Sequence, residues 1–231
     1  MKGGALDWPA LREALDVEGH ARIPGLLSAD FCRELVALYD DDDRFRKTVS
    51  LDRHRFGSGE YRYLDRPLPR KVDALRRDFY ANLVPVANAW QERLGFEERF
   101  EKSLASYLGR CHEEGQERPT PLLLRYGVDG FNCLHQDLYG DLAFPLQVTV
   151  MLSRPREDFE GGEFLLVEQR PRQQSRGEAF ALEQGEAIVF ANRHRPVEGA
   201  RGFYRAQVRH GVSRIRAGLR FTLGVIFHDA K

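Results

Sequence analysis

Cysteine is scarce in this sequence, and its three copies, Cys32, Cys111 and Cys133, never fall in a C-x-x-C spacing. An odd, scattered set of thiols argues against a disulfide framework and against a structural zinc site. It points to a reducing compartment, with the cytoplasm as the expected location. No run approaches the roughly 18 apolar residues that a membrane-crossing helix requires. The first sixteen residues carry charges and Pro9 but no apolar segment of the kind a secretion signal needs, so neither export nor membrane insertion is expected. Charge surplus is missing too: 35 Lys and Arg balance 35 Asp and Glu, so no global field draws in a polyanion or a lipid surface. The sequence has no internal repeat and no low-complexity stretch.

What is present is enough apolar material, 42% of 231 residues, to bury a large core in one domain. The first half reads as mainly helical. A short helix is expected over Ala5 to Val17, then a strand ending in the Pro24-Gly25 turn. A second helix is expected from Ala29 to about Tyr39, with Ser28 as its N-cap. Asp40 to Asp43 should end it, because acids are unfavourable at a helix C-terminus.

Residues 44–77 then carry eleven Lys and Arg against four Asp and Glu, with interleaved aromatics and a Gly57-Ser58-Gly59 centre. That composition fits either a lid over an anionic substrate or a solvated hairpin. On the lid reading, Arg55, Tyr61 and Tyr63 are substrate candidates. A long helix is expected from Pro67 to Gly95, kinked or split at Pro85, and another from Phe96 to Cys111.

From Pro119 onward the apolar period changes to two, giving roughly eight short strands separated by turn signals. The expected fold is α+β: a double-stranded β-helix, or antiparallel jelly roll, with helices packed on one sheet. We expect residues 1–118 to form a helical scaffold and basic lid segment within the same domain as a jelly-roll core at 119–231.

The strand series contains His135-Gln136-Asp137. Residues i and i+2 of a strand share a face, so His135 and Asp137 converge while Gln136 points away. An imidazole and a carboxylate are two of the three protein ligands of a 2-His-1-carboxylate iron site. The third must sit late and on a strand. His194 lies in Asn192-Arg193-His194-Arg195-Pro196, which reads as a loop, and His228 leaves no strand after it. His210 ends the strand Tyr204–His210 and shares the inward face of Ala206 and Val208. Ten residues on, Arg220 and Thr222 share a face of the last long strand. An arginine inside a barrel is costly unless an anion meets it, and its fork matches the distal carboxylate of 2-oxoglutarate. Tyr126 and Thr222 are placed to add hydroxyl donors to that carboxylate.

His135-x-Asp137, Gly161-Gly162-Glu163, His210 and Gly218-x-Arg220 together resemble the Fe(II)/2-oxoglutarate-dependent oxygenases, and the +10 spacing of Arg220 resembles their prolyl-hydroxylase-like branch. Three further phrases make most of the chain similar to a bacterial group named for oxidative demethylation of damaged nucleic acid. They are His135-Gln136-Asp137-Leu138-Tyr139-Gly140, Glu168-Gln169-Arg170-Pro171-Arg172 and Arg209-His210-Gly211-Val212-Ser213. Alkylation-repair demethylases typically have an Asn where this sequence has Leu124.

The resemblance implies a dioxygenase using Fe(II), 2-oxoglutarate and O2, with ascorbate as an optional reductant. His135, Asp137 and His210 would be the metal ligands and Arg220, Tyr126 and Thr222 the co-substrate residues. Tyr139 joins the substrate candidates, and retention of Asp137 argues against a halogenase. Three functions stay open: oxidation of alkylated nucleic acid, hydroxylation of a prolyl peptide or a small molecule such as an amino acid, and a non-catalytic metal-binding jelly-roll module.

Overall fold

The computed structural model describes residues 6–231. The helix start expected at Ala5 lies outside the described residues. Helix α1 runs over Trp8–Glu18, capped by the Asp7 side chain and ended by Gly19 in the left-handed conformation. Strand β1 (His20–Ile23) and helix α2 (Ala29–Leu38) follow, and Ser28 Oγ accepts from Phe31 N at 3.3 Å as an N-cap should. Next come β2 (Phe45–Ser50), the single turn α3 (Leu51–His54), β3 (Gly57–Ser58) and β4 (Glu60–Leu64).

Helix α4 (Arg70–Arg93) buries Val72, Leu75, Phe79, Leu83, Val86 and Trp90, the stripe expected of its 3.6-residue period. It continues through Pro85 as one helix, which corrects the expected split. Pro85 is exposed, so the carbonyl it leaves unpaired turns to water. Helix α5 covers only Leu104–Glu113, and the stretch before it is irregular, with Phe100 N bonded to Asn88 Oδ1 instead of to a helical carbonyl.

Strands make up the rest of the chain: β5 (Leu122–Tyr126), β6 (Phe131–His135), β7 (Leu146–Met151), β8 (Phe159–Gly161), β9 (Phe164–Gln169), β10 (Arg176–Phe180), β11 (Ala187–Ala191), β12 (His194–Gly199), β13 (Gly202–Val212), β14 (Ile215–Gly218) and β15 (Arg220–Val225). Seven of the eight expected strands are among them, and the one expected at Phe180–Leu182 overlaps β10 at Phe180 alone. His194 opens a strand, where a loop was expected: it pairs with Gln207 of β13.

Strand pairing is antiparallel and forms two large facing sheets and a small β8–β14 pair. The larger has the order β1-β11-β7-β15-β5-β4-β2, and the smaller β10-β9-β13-β6-β3 with β12 on the far part of β13. This is the jelly roll expected from the strand pattern. The helices cover one face of the larger sheet, where Tyr80 of α4 and Tyr107 of α5 meet Phe144 just before β7. The opposite face, with Gln147, Thr149, Thr222 and Tyr126, looks into the space between the sheets.

The basic stretch 44–77 is woven into this scaffold. Its hairpin β2–β4 extends the larger sheet beside β5. Six of its eleven cations have partners: Arg46 with Pro119 O, Arg62 with Asp42, Arg66 and Arg76 with Asp229, Lys71 with Glu34, and Arg77 with Asp73. Arg76 is buried and also donates to the carbonyls of Ile226 and Phe227, pinning α4 to the end of the chain. Gly57 lets β3 lie against β6. A Cβ there would stand 2.2 Å from the Phe131 carbonyl oxygen, at a φ of +145°. The Gly-Ser-Gly centre is thus a point of close approach between strands.

His228 is fully buried, and its Nδ1 accepts from Phe144 N at 3.2 Å. Burial pushes its pKa down to about 4. The unfolded chain, with the ordinary value near 6.5, therefore binds more protons between those limits. Stability is full above pH 6.5 and falls as pH drops towards 4, by about 3 kcal/mol from this group. Urea unfolding midpoints should decline over that window. His228→Asn, which keeps an acceptor for Phe144 N, should flatten the decline; an equally steep fall in the variant would assign it elsewhere.

Candidate active site

The two histidines are brought together by sheet register. His210 of β13 is the direct partner of His135 of β6, and their ring centroids lie 4.2 Å apart. Asp137 lies just past the end of β6, so strand alternation alone does not aim it. Asn192 does: its Oδ1 accepts from Asp137 N at 2.9 Å, and its Nδ2 donates to Asp137 O at 2.6 Å. Gln136 turns away, as expected, and donates to Val208 O at 2.7 Å.

Asp137 Oδ1 stands 3.6 Å from His135 Nε2, and Oδ2 stands 3.2 Å from His210 Nε2. Ligand atoms of all three residues lie within 4.8 Å of one another. The His135 tautomer suits a metal. His135 Nδ1 lies 2.7 Å from the Cys133 carbonyl, which can only accept, so Nε2 keeps its lone pair. His210 is buried against Phe164 and Phe190, and burial pushes its pKa down and keeps it neutral. Burial alone would raise the Asp137 carboxyl. The facing His135 and His210 and the Tyr139 hydroxyl outweigh it and hold the group well below the usual carboxylate range.

Each carboxylate oxygen also has a neutral donor. Tyr139 OH donates to Oδ1 at 2.6 Å, and Gln147 Nε2 donates to Oδ2 at 2.9 Å.

Between the sheets lies a cavity of about 340 Å³, a size typical of small-molecule sites. His135, Asp137, His210, Arg220, Tyr126, Thr222, Tyr61 and Tyr139 all line it. Arg220 is fully buried, and none of its three side-chain nitrogens has a hydrogen-bond partner. Its guanidinium rests 5.7 Å from the ring centre of Tyr126, its partner across the β5–β15 pair. Burial pushes its pKa down to about 10, so it stays charged at neutral pH. Thr222 shares its face of β15, and the Tyr126 hydroxyl accepts from Asn132 Nδ2 at 3.2 Å.

Two substrate candidates stand apart from the cavity. Tyr63 is buried behind Tyr139, with ring centres 6.0 Å apart, and Arg55 is exposed in the left-handed turn after α3. The Tyr139 hydroxyl is spent on Asp137.

Sequence reading missed Gln147, Thr149, Asn132 and Asn192. The first two had a signal: they are the polar residues that alternate with Leu146, Val148 and Val150 in an otherwise apolar strand. Asn192 had none, because its partner lies in a different part of the chain.

The site fits the groups that the donor types imply. Two imidazoles and a carboxylate form an iron(II) set with positions left over. A buried guanidinium with every donor unused fits a carboxylate.

Comparison with known proteins places the chain in a family. Residues 59–230 match the family described as an oxygenase catalysing oxidative methylation of damaged DNA. An uncharacterized protein of Mycobacterium tuberculosis is 50% identical over 192 residues, covering 81% of this chain and 82% of the relative. A Pseudomonas putida prolyl-4-hydroxylase has a similar fold, with a TM-score of 0.54 at 16% identity over 97% of this chain and 99% of that one. A Burkholderia pseudomallei oxidoreductase of the 2OG-Fe(II) oxygenase family has a TM-score of 0.56 at 19% identity, covering 100% and 94%. The chain belongs to this family of oxygenases, and it carries the jelly-roll fold of the Fe(II)/2-oxoglutarate-dependent dioxygenases.

Proposed function

We propose that His135, Asp137 and His210 hold Fe(II), that Arg220 with Thr222 and Tyr126 holds the distal carboxylate of 2-oxoglutarate, and that the substrate is an alkylated base of a nucleic acid. The observation that carries the cofactor reading is the pairing of a tight three-ligand cluster with a buried, donor-rich, unpartnered arginine in one cavity. Bound iron supplies the redox chemistry by which O2 converts 2-oxoglutarate to succinate and CO2 and delivers an oxygen atom to the substrate.

The chain's own residues do the rest. His135 and His210 offer ring nitrogens, and Asn192, Tyr139 and Gln147 aim the Asp137 carboxylate. Arg220 fixes one end of the co-substrate, and the apolar walls, including Leu122, Leu124 and Phe164, exclude water. Residues 1–118 belong to the same domain as the core at 119–231 on this reading, because β1, β2 and β4 complete its larger sheet.

The family description supports the nucleic-acid substrate, and so does the cavity mouth. Phe56 is 53% exposed there and stacked on His54 at 5.4 Å. Arg53 and Arg55, in the same turn, have no ion-pair partner among the described residues. An exposed aromatic beside free cations suits a base and its phosphates. A second reading, hydroxylation of a peptide or small molecule, is favoured by the basic side chains already spent inside the scaffold.

Succinate release tests both, screened against methylated DNA and RNA, proline peptides and free amino acids. Stimulation by methylated nucleic acid with formaldehyde release is expected. So is a lower salt slope of binding in Arg53→Gln/Arg55→Gln, by about 1 for each phosphate that is no longer neutralised. Stimulation by a peptide or amino acid alone, with an alcohol product, would replace the nucleic-acid reading. His135→Ala should abolish the substrate-independent release of succinate, which a non-catalytic module would not show in any form.

A further inference from the structure

One group in the cavity stands closer to the ligand cluster than support of Asp137 alone requires. Gln147 is 3% exposed on β7. Its Nε2 lies 2.9 Å from Asp137 Oδ2 and 3.3 Å from His210 Nε2. The direction of the amide is fixed by charge, because an oxygen facing the carboxylate would be repelled. Oε1, on the other side, is buried and has no donor.

Ligand atoms at about 2.1 Å from a common metal, at right angles to one another, are about 3 Å apart. The Gln147 nitrogen keeps that spacing from two of the three ligand atoms. An atom with a free lone pair at this point would be a fourth protein ligand. The nitrogen of a carboxamide has none, because its pair is delocalised into the carbonyl as in a peptide bond.

We propose that Gln147 is the positioning residue that limits the protein ligands to three. It holds Asp137 by a hydrogen bond, and that bond turns the amide nitrogen, which cannot ligate, into the neighbouring position. The inference rests on the metal-centre reading above.

It also explains the polar choice in an otherwise apolar strand. When a metal takes the His210 Nε2 lone pair, the Gln147–His210 hydrogen bond is given up. The bond to Asp137 Oδ2 can persist, because that oxygen has further lone pairs. The positions left open then remain available to the keto-carboxylate end of 2-oxoglutarate and to O2. A ligating side chain at 147 would take one of them.

The test is anaerobic titration of the full chain with Co(II), reading metal affinity and the d–d absorption that reports coordination number, before and after adding 2-oxoglutarate. Wild type should bind Co(II), and 2-oxoglutarate should perturb its spectrum. Gln147→Glu and Gln147→His, one adding charge and one not, should bind Co(II) at least about tenfold more tightly, with a spectrum of higher coordination number. Both should need at least about tenfold more 2-oxoglutarate to respond. Gln147→Met, of similar shape but without the hydrogen bond, should lose about tenfold or more in metal affinity while keeping the wild-type coordination number and co-substrate response. Two ligating variants instead of one guard against a misfolded protein, which circular dichroism and thermal melts of the metal-free forms would reveal.

If wild type binds Co(II) and the two ligating variants match it within twofold in affinity and co-substrate response, the role of Gln147 is overturned and the metal centre stands. If wild type binds no Co(II), the metal-centre reading itself falls, and this inference falls with it.

Discussion

Arg220→Met should make the ligand-free protein more stable while nearly eliminating its binding of 2-oxoglutarate. The two effects share one cause. A buried guanidinium without partners is held in the fold at a cost, and depression of its pKa from the ordinary arginine value down to about 10 corresponds to about 3 kcal/mol. Replacing buried charge with a well-packed apolar side chain is commonly neutral or stabilising by about 1–4 kcal/mol. For a chain of this size that is a rise of about 2–4 °C in Tm per kcal/mol. The same substitution removes a charge-assisted fork from a carboxylate in a dry cavity, worth about 2–5 kcal/mol, or about 30- to 4,000-fold in affinity. Added 2-oxoglutarate should raise the Tm of the metal-loaded wild type and leave that of the variant unmoved. A variant that melts lower than wild type and still responds to 2-oxoglutarate would show that the anchor lies elsewhere.

Asp137→Ala is the second large effect. Its carboxylate is the only anion in the three-ligand cluster and carries the hydrogen bonds of Tyr139 and Gln147. Its loss should weaken divalent-metal binding by more than the roughly 100-fold that changes in supporting residues reach, and should take succinate formation to background. Tyr139→Phe supplies the scale. It removes one hydrogen bond to Oδ1 and leaves the ligand in place, so a loss of about 10- to 100-fold in metal affinity is expected. Equal losses in the two variants would mean that Asp137 is not a ligand. Titration with Mn(II), followed by the disappearance of its free-ion electron paramagnetic resonance signal, separates these outcomes without needing a substrate.

The parts of this site that could be read from the sequence are those carried by strand alternation. His210 shares the inward face of Ala206 and Val208, and Arg220 shares a face with Thr222. A period of two is a local property that survives whatever the strands pair with. Asp137 came out in the right place for an incomplete reason, since its aim comes from Asn192 beyond the strand's end. Such a clamp joins segments far apart in sequence, and no spacing rule reveals it.

Charge left two readings open for a related reason. Counting cations in 44–77 left a lid and a solvated hairpin both open, because a count does not say that Arg62, Arg66 and Arg76 have anions waiting in the fold. The strand at His194 was obscured because its sequence is polar. Sheet edges and outer strands expose one face and lack the apolar alternation that marked the central strands.

The pairing of His135 with His210 also bears on how the protein matures. The two residues lie on adjacent strands but far apart in the chain, so closing the loop between them is an entropic cost that must be met before the site is complete. A partly folded chain presents the His135 end of the site without its counterpart. On the metal-centre reading, high-affinity metal capture would therefore mark a chain whose smaller sheet has already closed. Iron supplied during synthesis would find no complete site to enter, and the mature fold, once loaded, would be held shut by the metal it selects.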